Sequence, residues 1–234
     1  MAEKTYVAAQ RRRGPAPSKR RDEDQMVPLA SILINVIIPV FSVIAWMWIL
    51  TGAVDSGDLA HKGVGSLKYF TVLSNLFSGV VSLIHLIVCL AGSVMPGWFV
   101  TLKLVAAAAV MLTFLVTAVL LVPQYGWKSL YRGGNFWLHL VLPLLAAVDC
   151  CLFVPVSEVP LRMTLWAMVP TAIYAVFYLG RIFMHGARPG DSEYDFYNFL
   201  RWGVSMVPAV VTAMLLVTWG LALVVRLLGW LVQG

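Results

Sequence analysis

The sequence predicts an all-α membrane protein with six transmembrane helices in a single bundle, and three observations predict it. Hydrophobic residues are 60% of the chain and charged residues 12%, with a mean hydropathy of +0.84; soluble domains do not carry this composition. Six long apolar runs fall at about 28–50, 68–92, 98–122, 135–155, 161–184 and 200–230, each long enough for the roughly 20 residues that cross a bilayer. Tryptophans mark the run ends in alternation. Trp98, Trp166 and Trp230 sit at one membrane face, and Trp46, Trp48, Trp127, Trp137 and Trp202 at the other, as interfacial rings should.

Residues 1–27 precede the first run and form a separate unit. Their seven basic residues, among them Arg11–Arg13 and Lys19–Arg21, lie in a Pro- and Ala-containing stretch with no apolar pattern. Such a segment cannot build a core and is expected to be a disordered tail. Basic charge joined directly to a membrane domain reads as a cytoplasmic topology signal with affinity for anionic lipid, not as a nucleic-acid site. Six spans then return the C-terminus to the cytoplasm and place the chain in a cell membrane, with a bacterial plasma membrane as the expected one. The first long apolar run starts only near Pro28, so no cleavable leader is expected.

Residues 28–234 are the membrane domain. Its first run carries Asn35 and Pro39 and ends before Asp55, Asp58 and His61. The second opens with Lys68 and then repeats Thr71, Asn75, Ser78, Ser82 and His85 at steps of four, three, four and three. Residues so spaced share one helix face, and a polar face at bilayer depth must meet protein or water. Prolines at 39, 143, 170 and 208 predict kinks in the first, fourth, fifth and sixth spans, leaving the second and third as the straighter pair. Between the last two runs, residues 185–199 mix acidic and aromatic side chains, as a solvent loop or a cap over the outer mouth would. Cys89, Cys150 and Cys151 lie inside apolar runs at spacings that suit no metal. No metal and no cofactor are expected.

Polar residues within the runs sort into two depths. Thr71 lies three residues past Lys68, and His139 four past Asn135, so each is roughly 5–6 Å inside its run. A threonine hydroxyl becomes a nucleophile when a base within hydrogen-bond reach removes its proton, and histidine is suited to that exchange near neutral pH. Asn75 and Asn135 are candidates to stabilise the resulting oxyanion. Lys68, Arg132, Arg181 and Arg201 are placed to meet a substrate carboxylate at the interface, although snorkelling anchors look the same. Asn35, His85 and Asp149 form the inner set. Asp149 is ten residues beyond His139, about 15 Å along the helix, too far to orient its ring; Asp55, Asp58, Asp191, Glu193 and Asp195 are the remaining carboxylate candidates.

Two motifs carry a resemblance. Tyr69-Phe70-Thr71-Val72-Leu73-Ser74-Asn75 and His139-x-x-x-Pro143-x-x-x-x-x-Asp149 resemble bacterial six-span relatives of the androgen-induced integral-membrane threonine hydrolases, as do the Tyr174–Arg181 segment and Tyr194-Asp195-Phe196. The animal members of that family cleave fatty acid esters of hydroxy fatty acids. The resemblance implies Thr71 as nucleophile, His139 as general base and a lipidic carboxylic ester as substrate, with membrane lipids as surroundings. The rival expectation is a small-solute or proton-coupled transporter using Asn35, His85 and Asp149 as a polar path. A lipid-binding or purely scaffolding protein is a third, in which Thr71 and His139 do not contact each other.

Overall fold

The computed structural model describes residues 28–56, 63–191 and 193–233; the basic tail, Asp58 and His61 lie outside them. Six helices are long and apolar enough to cross a membrane: α1 (Leu29–Thr51), α2 (Phe70–Leu90), α3 (Gly97–Leu121), α4 (Gly133–Phe153), α5 (Leu161–Met184) and α6 (Val204–Gln233). No strand occurs among the described residues. The chain is a multi-pass, all-α membrane protein. The face bearing the α1–α2, α3–α4 and α5–α6 connections is called upper below, and the opposite face lower.

The helices form a bundle around α3, which touches α2, α4, α5 and α6. The reason is side-chain size. Ala106, Ala107, Ala108 and Ala109 run consecutively along α3 and are all buried, so small residues let every neighbour approach closely. α1 packs on α2 and α4, and glycines set both contacts. A Cβ on Gly79 would sit 3.3 Å from Pro39 Cα, and one on Gly134 would sit 2.5 Å from the Ala45 carbonyl oxygen. α5 and α6 lie outermost, with most of their apolar side chains facing outward.

The expected polar stripe faces protein: Asn75, Ser78, Ser82 and His85 are all buried. The expectation that α3 is regular fails at its upper end. Thr117–Leu121 is a widened π turn, and a second π turn, Trp137–Val141, interrupts α4 just before Pro143. Residues 185–191 and 193–203 form a folded cap. At its centre Asp195 is buried and accepts the Tyr178 hydroxyl at 2.8 Å and the N–H groups of Phe199 and Leu200 at 2.8 and 3.2 Å.

Candidate functional site

The upper layer is assembled from the consequences of one proline. In the π turn of α4 the Leu142 N–H bonds the Trp137 carbonyl, five residues back. The next bond in that register would run from residue 143 to the Leu138 carbonyl, but Pro143 has no N–H. A buried carbonyl left unpaired is costly, and α2 supplies the donor: Asn75 Nδ2 reaches Leu138 O at 3.0 Å. Its other hydrogen goes to Thr71 O at 2.8 Å. The Thr71 carbonyl and the carbonyl preceding His139 are thus bridged by a single amide. Asn75 is therefore not the oxyanion donor expected from sequence, because both of its N–H bonds are committed. What it leaves unpaired is an acceptor, the buried Asn75 Oδ1.

His139 lies within that widened turn, partly buried. Its Nδ1 is 2.7 Å from Thr117 Oγ1, a residue that sequence reasoning passed over. Thr71, at the second position of α2, is partly buried, and its hydroxyl lies beside the Tyr197 phenol delivered by the cap. Among the described residues no hydrogen bond joins the Thr71 and His139 side chains directly. Tyr197 also accepts the Phe70 N–H at 3.1 Å, and Tyr174 donates to the Lys68 carbonyl at 2.6 Å. Burial pushes the Tyr197 phenol up to about 12, with the neighbouring Tyr174, Phe70 and Thr71 groups pulling the other way.

None of the described carboxylates orients His139. Asp195 is spent on the cap as described above, Asp191 Oδ1 accepts the Glu193 and Tyr194 N–H groups, and Asp55 pairs with Arg132 at 3.0 Å. Asn135 belongs to the same connection as Asp55. Its amide holds the Ser56 carbonyl at 2.6 Å while Gly134 N–H holds the Ser56 hydroxyl at 3.1 Å, so it pins the α1–α2 connection to the head of α4. The four expected cations separate. Lys68 donates to the Glu193 carbonyl at 3.3 Å and lies over the Phe196 ring; burial and then the Arg181 charge lower its pKa, against Glu193 and Asp191. Arg181 stacks on Phe177 and Tyr194, whereas Arg201 lies over Trp202. Lys68 and Arg181 lie near enough for the Arg181 charge to act on the Lys68 ammonium.

A cavity of about 770 Å³ runs between α2, α3 and α5. Its upper end is formed by Phe70, Ser74 and Tyr174 and its lower end by Trp98 and Trp166. Ser74 also donates to the Thr71 carbonyl at 3.2 Å, so the upper end abuts the Thr71 turn. On α5 the lining extends from Met163 to Phe177, about 21 Å of helix. Leu73, Ile173 and Trp98 on its rim are exposed. The groove therefore opens sideways, and Ser74 and Thr101 are the only hydroxyl-bearing aliphatic side chains lining it.

In the lower layer the charged groups pair with one another. Asp149 accepts Ser31 Oγ at 2.7 Å and Asn35 Nδ2 at 3.0 Å, and pairs with Lys103 at 2.6 Å. Lys103 also donates to Asn35 Oδ1 at 2.6 Å. Each of these residues is 4% exposed or less. His85 Nδ1 stands 3.8 Å from Asp149 Oδ2, unpartnered. Lys103 lies inside the core. The signal that finds it is depth: six residues past Gly97 is about 9 Å into α3, level with Asn35 in α1. Among the described residues no group of three metal-ligating side chains occurs.

Comparison of the chain with protein-family models, with curated proteins and with solved structures finds no match.

Proposed function

We propose that this protein is an intramembrane hydrolase of lipidic carboxylic esters, with Thr71 as nucleophile and His139 as general base. One observation carries the reading. A single Asn75 amide bridges the main chain at Thr71 to the main chain beside His139, next to the Phe70 and Ser74 that line the upper end of a long apolar groove, which Thr71 and His139 do not themselves line. The groove suits acyl chains, and its length matches an extended chain lying along α5. The resemblance of the two sequence motifs to membrane threonine hydrolases points the same way, with fatty acid esters of hydroxy fatty acids as the substrate type.

In this mechanism Thr71 Oγ1 attacks the ester carbonyl carbon while His139 takes its proton. The oxyanion forms at the N-terminus of α2, where first-turn N–H groups have no intrahelical acceptor. Tyr197 takes the Phe70 N–H; those of Thr71 and Val72 are left for the developing charge, as in other oxyanion holes. The tetrahedral intermediate collapses, the C–O bond to the alcohol breaks, and His139 protonates the leaving alkoxide. Water, deprotonated by His139, attacks the acyl-threonine, and collapse returns the proton to Thr71. Lys68 and Arg181 hold a substrate carboxylate at the rim. If the basic tail is cytoplasmic, this rim lies at the outer leaflet.

A transporter using Asn35, His85 and Asp149 is the less favoured reading, because Lys103 and Ser31 seal that cluster with short bonds. The test is hydrolysis of a long-chain ester by purified protein. Wild type is expected to turn over, and Thr71→Ala and His139→Ala to lose activity while remaining folded. Full activity in both variants would refute the assignment.

A further inference from the structure

We propose that the groove between α2, α3 and α5 is a binding site for a free long-chain fatty acid, with the carboxylate on Arg181 and the chain running down α5. The site does not need the ester chemistry, since Thr71 and His139 do not line the groove. Under the hydrolase reading the bound acid is the product freed from the acyl-threonine.

Arg181 supplies the head contact. Its guanidinium lies 5.9 Å from the ring of Phe177, the last groove residue on α5, and 5.4 Å from the Tyr194 ring of the cap. Rings attract the charge but offer its N–H groups no lone pair. Other guanidiniums of this chain find acceptors: Arg132 pairs with Asp55, and Arg226 bonds the Val159 and Ser157 carbonyls at 2.8 and 3.0 Å. Among the described residues the ion pairs involve only His85, Lys103 and Arg132, and no hydrogen bond takes up the Arg181 guanidinium. A carboxylate matches that planar fork with two parallel bonds. Lys68 favours the same occupant. After burial, the Arg181 charge is the largest cause lowering its pKa, against Glu193 and Asp191, and an anion seated beside Arg181 relieves that repulsion.

The groove supplies the seat for the tail. No charged residue lines it, and its roughly 21 Å along α5 is the length of an extended palmitate chain. That exceeds the half-thickness of a bilayer's hydrocarbon core, about 15 Å, so a chain seated here lies straighter than its neighbours in the leaflet. Trp98 and Ile173 are exposed on the rim, so a chain slides in from the side without passing the cap. Lipid tails are as apolar as the lining, and transfer from one to the other carries little hydrophobic gain. Selection therefore falls to the head. With the cation held between a groove ring and a cap ring, a bare carboxylate reaches it edge-on. A phospholipid would bring its glycerol and second chain against the cap.

The test uses purified protein in detergent, radiolabelled palmitate, and a palmitate carrying a diazirine at its methyl end. Wild type is expected to bind palmitate saturably, with the photoproduct on Met163, Trp166 or Trp98 at the lower end of the groove. Arg181→Gln should weaken binding about tenfold or more, and Arg181→Lys less, since an ammonium keeps the charge without the fork. Val169→Trp, within the groove and away from the cation, should exclude palmitate and still admit the shorter laurate. Absence of saturable binding, binding indifferent to Arg181→Gln, or a photoproduct on α6 overturns the proposal. So does equal displacement of palmitate by dipalmitoyl phosphatidylglycerol, which would make the groove a seat for bilayer lipid. Thr71→Ala and His139→Ala should bind palmitate as wild type does. A protein that binds palmitate and cleaves no ester keeps this site and loses the reaction; one that cleaves esters and binds no palmitate does the reverse.

Discussion

The two polar layers use similar side chains to opposite ends. In the lower layer an ammonium, a carboxylate, an amide and a hydroxyl satisfy one another across α1, α3 and α4. In the upper layer an amide, two threonines and a histidine leave capacity over: the buried Asn75 Oδ1 has no partner, and the Thr71 and His139 side chains do not bond each other. Charge at bilayer depth is usually read as a functional signal. Here the charged groups are paired with one another, with the buried His85 Nδ1 beside them unpartnered, whereas in the neutral layer the proposed nucleophile and base are themselves left apart. Chemistry needs unspent donors and acceptors, so the neutral layer is the better site even though it carries no formal charge.

The sharpest way to break this comparison is to remove the upper groups and ask only about rate. His139→Ala should lower ester turnover about 10²–10⁴-fold, the usual contribution of a general base, and Thr71→Ala should do at least as much. Neither should move the thermal midpoint in detergent appreciably. A large loss of stability in either would make the upper layer structural, like the lower one.

Next come the lower-layer replacements, read by stability. Asp149→Asn strands the Lys103 ammonium, and Lys103→Met strands the carboxylate; breaking a buried pair from one side costs about 3–5 kcal/mol. Replacing both, as Lys103→Met with Asp149→Leu, should recover much of that loss. Denaturation of the four proteins in one detergent checks this cycle. Additive losses would mean that the pair is not coupled.

A smaller effect is expected where the layers differ least. Asn75→Ala removes the clip between α2 and α4 and should cost about 1–2 kcal/mol, the range of interhelical hydrogen bonds in membranes. It should also slow turnover, because Thr71 and His139 lose their bridge. Stability and activity measured on the same preparation separate the two losses.

Smallest is the alkaline response of the cap. Burial holds the Tyr197 phenol up to about 12, against about 10 in an unfolded chain. A raised folded value means that this contribution is complete below about pH 10 and fades as pH rises toward 12. Thermal midpoints from pH 9 to 12 should therefore fall more steeply in wild type than in Tyr197→Phe. Parallel curves would show that Tyr197 does not anchor the cap.

The spans and the polar stripe were legible in the sequence because each is periodic along one helix. Thr71 and His139 stood out because a hydroxyl and an imidazole are rare at matching depth, and because both fall in motifs resembling known hydrolases. Thr117 did not stand out, since a threonine in an apolar run has no pattern of its own. Its contact with His139 joins π turns in two different helices. The clip by Asn75 was hidden for a related reason: it answers a hydrogen bond that Pro143 removes from another helix. Lys103 is legible by depth alone, since six residues past Gly97 place it level with Asn35. The cap formed around Asp195 needed the fold, as its partners come from both sides of a turn and from α5.

The central claim is that the open upper layer makes Thr71 the nucleophile, and one measurement meets it directly. Wild-type protein treated with a lipid-like fluorophosphonate and mapped by peptide mass spectrometry should carry the adduct on Thr71, with labelling sharply reduced in His139→Ala. An adduct on another residue, or labelling of Thr71 that is indifferent to His139, would contradict it.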